Sequence, residues 1–241
     1  MGGPSKLPYK LLAGVVPCPG GWLILPARLA GVTVIVEDAE VYPTLLDCLE
    51  YKPKFEAAAI WAPLGFYDDP QESPYRPCDV EAREIVGWPR LAAVRGVPSR
   101  AALRAPTREA AKELEPWLTN DDLRRFKWLR EAEEHFQPFH QRNWFAAHPD
   151  LSFYVLNGDK PVTSSPYQQE GVLERMNLIK SKLPGVEEAV VRTPPQGAAQ
   201  IHLLQAAGLL WTARRASGRA INRLPADPNW DSTGLRMELA R

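Results

Sequence analysis

The sequence has no excess of either charge, few cysteines and no long apolar run. Its 29 lysines and arginines equal its 29 aspartates and glutamates, so no overall field attracts nucleic acid or an anionic membrane. A site for a polyanion must therefore be a local patch. No segment approaches the ~20 apolar residues of a membrane span, and residues 1–10 lack the apolar segment of a signal peptide. These absences predict a cytoplasmic protein that does not associate with membranes.

Sequence signatures of cofactors are also absent. The three cysteines Cys18, Cys48 and Cys78 show no zinc-site spacing, and their odd number does not suit a disulfide framework. There is no phosphate-binding glycine loop, dinucleotide fingerprint or hydrolase nucleophile elbow. We therefore expect no cofactor.

What is present is ample apolar sequence in alternating elements. With 45% hydrophobic residues in 241, the chain can bury a sizeable core. We read it as one domain, 1–241, with a helical and loop insertion at about 67–140. The predicted strands are 11–16, 22–29, 32–37, 56–66 and one within 142–158. The predicted helices are 40–51, 79–87, 108–118, 119–139, 167–183 and 199–218. The segment 88–108 is predicted to be an extended loop. This order predicts an α/β fold with a mixed five-stranded sheet, the first three strands antiparallel and helices on both faces.

Four motifs follow one another along the chain. They are "GVVPCPGGW" (14–22), "IWAPLGF" (60–66) with "RPCDVEAR" (76–83), "AAHPDLSF" (146–153), and "LLQAAGLLWTA" (203–213) with "GLRMEL" (234–239). Through them the chain resembles the predicted RNase H-like nucleases known as domain-of-unknown-function family 429, over about residues 14–239. The resemblance implies an RNase H-like domain. In active members it further implies carboxylates from the first strand, the fourth strand and the last helix around two divalent cations.

The carboxylates that this resemblance implies are missing here. Val16, Trp61, Ala146 and Gln205 stand where the family motifs carry acids, although Mg²⁺ needs oxygen ligands, usually including one or two carboxylates. We also expect the Trp61 indole to fill the vacated space and close the core. The sequence therefore favours a degenerate, catalytically inactive member with a binding or structural role, without a metal ion.

A second hypothesis keeps the chain an enzyme, a metal-dependent nuclease or other phosphoryl-transfer hydrolase with a displaced site. It would use polar residues that remain near the lost acids, with Mg²⁺ or Mn²⁺ as cofactor. The candidates are His148, Asp150, His202 and Asp79, together with the neutral oxygen of Gln205. Two of these residues also have a purely structural explanation. His148 can form hydrogen bonds at a strand end, and Asp79 can cap a helix.

A third hypothesis is nucleic-acid binding without cleavage, carried by arginines. Arginine grips phosphate bidentately, and two clusters lie at 90–104 and at the end of the last predicted helix: Arg90, Arg95, Arg100 and Arg104, then Arg214 and Arg215. Arginines that simply lie on a solvated surface, or that stabilise the negative end of a helix dipole, explain these clusters equally well. Without a polyanion, we expect a protein partner or self-association, for which exposed tryptophans would be the contact points.

Overall fold

The structure, a computed structural model, describes residues 8–241 and is built on one mixed sheet. Its strands are β1 (Lys10–Cys18), β2 (Gly21–Ala30), β3 (Thr33–Val36), β4 (Glu40–Tyr42), β5 (Ala57–Ile60) and β6 (Trp144–Ala146). The first three form an antiparallel meander, and β5 and β6 run parallel to β1, in the order β3-β2-β1-β5-β6. The α/β class, the mixed sheet and the antiparallel opening are confirmed.

The strand β4 adds a sixth member to the five predicted strands. It pairs antiparallel with β2, although the sequence pattern suggested a helix over 40–51. Only α1 (Leu45–Leu49) is helical, and it begins after Pro43, where the Thr44 hydroxyl accepts a hydrogen bond from the Asp47 amide. The prediction joined β4 and α1 into one helix because it placed Pro43 in the first turn of that helix.

Helices fill the two connections that follow β5 and β6. Between these strands lie α2 (Pro77–Val86), α3 (Arg100–Leu103), α4 (Arg108–Leu114) and α5 (Asn120–His135); after β6 come α6 (Pro149–Leu156), α7 (Gln169–Lys180), α8 (Val186–Val191) and α9 (Gln200–Ser217). The segment 88–108 is not wholly extended, since it holds a 3₁₀ turn at Arg90–Ala93 and α3. A small antiparallel pair, β7 (Arg223–Leu224) and β8 (Leu239–Ala240), closes the chain. Within 8–241, no helix has the length and apolar character to cross a membrane.

The sheet buries both of its faces. Along β1, Ala13 and Val15 belong to the apolar cluster shared with α2 and α5, whereas Leu12 and Val16 belong to the cluster shared with α9. This alternation follows from the two-residue period of a strand. Helices therefore cover both faces, as predicted.

Helix α9 lies directly on β1 because position 14 has no side chain. A Cβ added to Gly14 would overlap the Ala206 carbonyl oxygen and lie 2.6 Å from the Leu210 amide nitrogen. Glycine is thus required for the close approach of helix and strand backbones. The contact fixes α9 against β1 near the middle of both elements.

Other motif residues also hold the scaffold together. The Gly20 amide donates to the Gly197 carbonyl at 2.8 Å, and the Ser152 and Thr212 hydroxyls hydrogen-bond at 2.8 Å between α6 and α9. Gly208 leaves room for the Phe153 ring. Gly20, Ser152, Gly208 and Thr212 therefore have packing or hydrogen-bonding roles in the scaffold.

Candidate binding cavity

A cavity of about 530 Å³ lies at the carboxyl ends of the three parallel strands. Pro17 near the end of β1, Trp61 after β5 and His148 after β6 line it, and α9 contributes His202 and Gln205. In open α/β sheets, ligands bind in the crevice outside the carboxyl ends of the strands. This is therefore the principal candidate site of the fold.

The four positions at which the resemblance implied acids do not all reach this cavity. Trp61 and Gln205 line it, whereas Val16 is fully buried under α9 and Ala146 is buried on the opposite face of the sheet. Trp61 meets the His148 ring edge to face, with centroids 5.3 Å apart. Its indole forms part of the wall, so the expectation that it would close the core is wrong.

Arginine dominates the charged lining of the cavity. Five arginines and only two carboxylates contribute: Arg76, Arg90, Arg95, Arg125 and Arg175, with Asp79 and Asp150. Sequence reasoning singled out Arg90 and Arg95 as phosphate contacts and did not assign any role to the other three. The cavity therefore carries an excess of positive charge in a chain whose total charge is balanced.

Asp79 is held by Arg76 at the start of α2. The Arg76 guanidinium donates to both carboxylate oxygens at 2.8 and 2.9 Å and to the Leu64 and Gly65 carbonyls at 3.0 Å. Burial alone would lower the pKa of Arg76, but the charge of Asp79 raises it overall. Asp79 also accepts from the Arg76 backbone amide, which supports its interpretation as a helix cap.

Asp150 is held between two arginines. Its Oδ2 accepts from Arg90 Nη2 at 2.9 Å, and its Oδ1 accepts from Arg175 Nη2 at 3.2 Å. Arg175 is only 1% exposed and also donates to the Ser164 and Gly171 carbonyls. Both oxygens of Asp150 are therefore occupied by guanidinium groups.

His148 uses both of its ring nitrogens within the protein. Nδ1 accepts from the Asp150 amide at 3.1 Å, and Nε2 lies 3.1 Å from the Ala93 carbonyl oxygen, which can only accept. These partners select the neutral tautomer with the proton on Nε2. Burial lowers the pKa of His148, against the opposing effect of Asp150. The geometry supports the hydrogen-bonding role for His148.

Replacement of His148 by asparagine should reduce the pH dependence of stability. Below the ordinary pKa of 6.5, the unfolded chain binds a proton at this position and the folded chain does not, so stability falls as the pH falls. Asparagine keeps a helix-capping acceptor but does not titrate. We expect the slope of the free energy of unfolding against pH to decrease below pH 6.5, by up to about 1.4 kcal/mol per pH unit where the unfolded-state histidine is fully protonated. Urea unfolding across this range measures it; an unchanged slope would contradict the buried neutral state.

The α9 wall offers polar groups that remain available. His202 Nδ1 accepts from the Ala199 amide at 2.9 Å, while its Nε2 makes no hydrogen bond to another residue of 8–241. Burial lowers the pKa of His202. Gln205 is 7% exposed, and its amide likewise has no partner in the described chain. Both side chains can serve as neutral hydrogen-bonding groups in the cavity wall.

Two arginines of the cavity have buried nitrogen atoms without a hydrogen-bond partner within 8–241. They are Arg90 Nε and Arg125 Nη1. The closest carboxylate to Arg125 is Asp122, at 3.6 Å from Nη1, and Arg95 approaches the same Asp122 oxygen at 3.4 Å. Burial lowers the pKa of Arg125, and Asp122 compensates for this only in part. Buried donors without a partner are costly, and the excess of arginines over carboxylates in the wall favours an anion.

The remaining predicted arginines lie elsewhere. Arg100 is buried and bonded to Asp231 at 2.6 Å, Asp68 at 2.9 Å and Glu133 at 3.0 Å, and Arg104 is exposed and paired with Glu133. Arg214 and Arg215 line a different cavity beside Trp211. Of the six arginines predicted for polyanion binding, only Arg90 and Arg95 reach the cavity.

Comparison with known proteins gives a family for this chain and a similar solved structure. The family model described as "Protein of unknown function (DUF429)" matches residues 14–229. The chain belongs to the DUF429 family. Among solved structures, RuvC of T. thermophilus in complex with a Holliday junction substrate is similar over 88% of this chain and 97% of that chain, with 14% identity and a TM-score of 0.37. No functionally curated protein matches the chain.

The cavity of this DUF429 chain does not fit the pair of divalent cations that an RNase H-like nuclease implies. Both carboxylates of its wall are bonded to guanidinium groups. In the part of the chain that the structure describes, no three His, Cys, Asp or Glu side chains are grouped to hold a metal ion. Mg²⁺ requires oxygen ligands, usually with carboxylates among them, and this donor set does not supply them.

Proposed function

We propose that this DUF429 chain is a catalytically inactive RNase H-like protein that acts by binding at the cavity. The observation that carries the proposal is the state of the cavity's acids: Asp79 is bonded to Arg76, and Asp150 to Arg90 and Arg175. A metal ion would have to displace these guanidinium groups from a wall that already carries excess positive charge. Like charges at such short range oppose its entry.

The displaced-site nuclease is less well supported. Of its candidates, His148 has both ring nitrogens bonded and Asp150 has both oxygens bonded. His202 retains one nitrogen and Gln205 a neutral amide, which is a poor donor set for a hard cation. A general base or nucleophile needs a group within reach that is not already engaged, and this wall supplies only His202.

Extended nucleic-acid binding through both predicted arginine clusters also loses support. Arg100 is enclosed by three carboxylates, and Arg214 and Arg215 border another cavity. A polyanion contact would need these groups on one accessible surface. We therefore place the binding role at the cavity itself.

Calorimetry with MgCl₂ and MnCl₂ tests the proposal. We expect no saturable heat at millimolar metal, because the ligands are engaged. Incubation with labelled single- and double-stranded DNA and RNA should show no cleavage beyond that of a His202→Ala, Gln205→Ala variant prepared in parallel, which controls for a contaminating nuclease. Saturable binding of two ions, or cleavage that the double variant abolishes, would overturn the proposal.

A further inference from the structure

The wall of the cavity combines two kinds of recognition group. One kind is the guanidinium groups of Arg90 and Arg125, with Arg95 more exposed. Five aromatic residues border the cavity: Trp61, Trp128 and Tyr167 are partly or largely exposed, whereas Trp22 and Phe153 are fully buried. Cations with unused donors suit an oxyanion, while aromatic faces suit a flat ring.

The charges of the cavity are not balanced by its own acids. Asp79 is committed to Arg76, and Asp150 is shared by Arg90 and Arg175. Arg125 and Arg95 share Asp122, which lies 3.6 and 3.4 Å from them, longer than the distances usual for a charged hydrogen bond. Two arginines therefore share each of Asp150 and Asp122, and the excess positive charge is spread over Arg90, Arg95, Arg125 and Arg175.

A phosphate group would complete these interactions. Arg90 Nε and Arg125 Nη1 lack a partner in the described chain, so neither guanidinium uses all of its donors there. Both side chains keep some exposed surface, 16% for Arg90 and 28% for Arg125, and a guanidinium can grip an oxyanion with two parallel N–H groups. Both arginines line the same cavity as His148. The unpartnered Gln205 amide and His202 Nε2 can then bond the polar atoms of the rest of a ligand.

The volume of the cavity sets the size of the ligand. About 530 Å³ falls within the ~300–1,000 Å³ of pockets for small organic molecules. It accommodates a phosphate monoester joined to one ring system, and not a length of duplex.

From these features we infer that the cavity binds a small phosphate monoester that carries a flat heteroaromatic ring, of the size of a nucleoside monophosphate. The phosphate lies against Arg90 and Arg125, and the ring lies against the aromatic wall. This inference rests on the proposed binding role of the cavity and specifies its ligand class.

Calorimetry on the full chain tests the ligand class with four probes. They are adenosine 5′-monophosphate, adenosine, inorganic phosphate and a 5′-phosphorylated single-stranded oligonucleotide. We expect saturable binding of the monophosphate, at least tenfold tighter than that of adenosine or phosphate alone. Absence of monophosphate binding, equal binding of adenosine or of phosphate, or binding of the oligonucleotide alone would overturn the inference.

Substitution of Arg125 by methionine tests the site. We expect about tenfold or greater weakening of monophosphate binding, since one charged hydrogen-bond partner is lost. The matched control is Arg124→Met, because Arg124 is the preceding residue of α5, is 73% exposed and pairs with Asp121; its binding should not change. Equal affinity in both variants would contradict the assignment.

If Arg125→Met does not fold, the affinity of Arg90→Met for the monophosphate gives a second test of the site. The comparison of the four probes uses the wild-type chain and needs no variant. Metal titration of the wild type is independent of these experiments. Failure of monophosphate binding with no metal binding overturns the ligand class and leaves the inactive assignment in place. Saturable binding of two metal ions overturns the proposed function itself.

Discussion

Replacement of Asp150 by alanine should lower the free energy of unfolding by about 3–5 kcal/mol, the usual cost of removing one partner of a buried ion pair. Asp150 is 7% exposed and is the shared partner of Arg90 and Arg175. Without it, the almost fully buried Arg175 loses its carboxylate. The melting temperature should fall by roughly 10 °C in a domain of this size, which calorimetric or circular-dichroism melting measures.

Asp121→Ala is the matched control for this prediction. Asp121 also pairs with arginines, but it is 60% exposed, so its loss should cost less than about 1 kcal/mol. A wild-type protein stabilised by Mn²⁺, together with an Asp150→Ala variant that is not, would instead identify Asp150 as a metal ligand. That outcome would contradict its role as the partner of two arginines.

Replacement of Gly14 by alanine is expected to cost about 3 kcal/mol or more, at or above the usual range for overpacking. The added methyl group would overlap the Ala206 carbonyl oxygen and approach the Leu210 amide nitrogen to 2.6 Å. Both atoms belong to the backbone of α9, so no side-chain rotation can relieve the contact. Urea denaturation measures the loss of stability.

Gly218→Ala is the matched control, because it replaces a glycine by alanine where the added methyl group has room. At Gly218 φ is −92°, and an added Cβ would meet its nearest neighbour at 3.6 Å, an ordinary contact. We expect its stability to stay within about 0.5 kcal/mol of the wild type. If Gly14→Ala were equally neutral, α9 would not lie on β1 as described.

The sheet could be predicted from the sequence because local signals determine it. Proline and glycine divide the opening into runs of strand length, and Gly20 and Gly21 mark the turn between β1 and β2. The same signals failed at Pro43, where a short strand and a short helix adjoin. Three-residue strands such as β4 depend on pairing with a neighbour, and a window of sequence does not contain that neighbour.

The cavity was only partly predictable. His148, Asp150, His202 and Asp79 were candidates because they adjoin the family motifs, and all four line the cavity. Arg125 and Arg175 gave no such signal, since each lies within a helix where an arginine usually faces solvent. Their convergence depends on the packing of α5 and α7 around the strand ends, which is a tertiary property.

The recessed position of the arginines has a kinetic consequence. The chain carries equal numbers of acidic and basic residues, and charge attraction in solution is screened beyond about 8 Å at physiological ionic strength. An anion therefore approaches without long-range steering and meets the guanidinium groups only at the mouth of the cavity. Over that short range the excess positive charge of the cavity should still raise the rate of association, and added salt should reduce this effect.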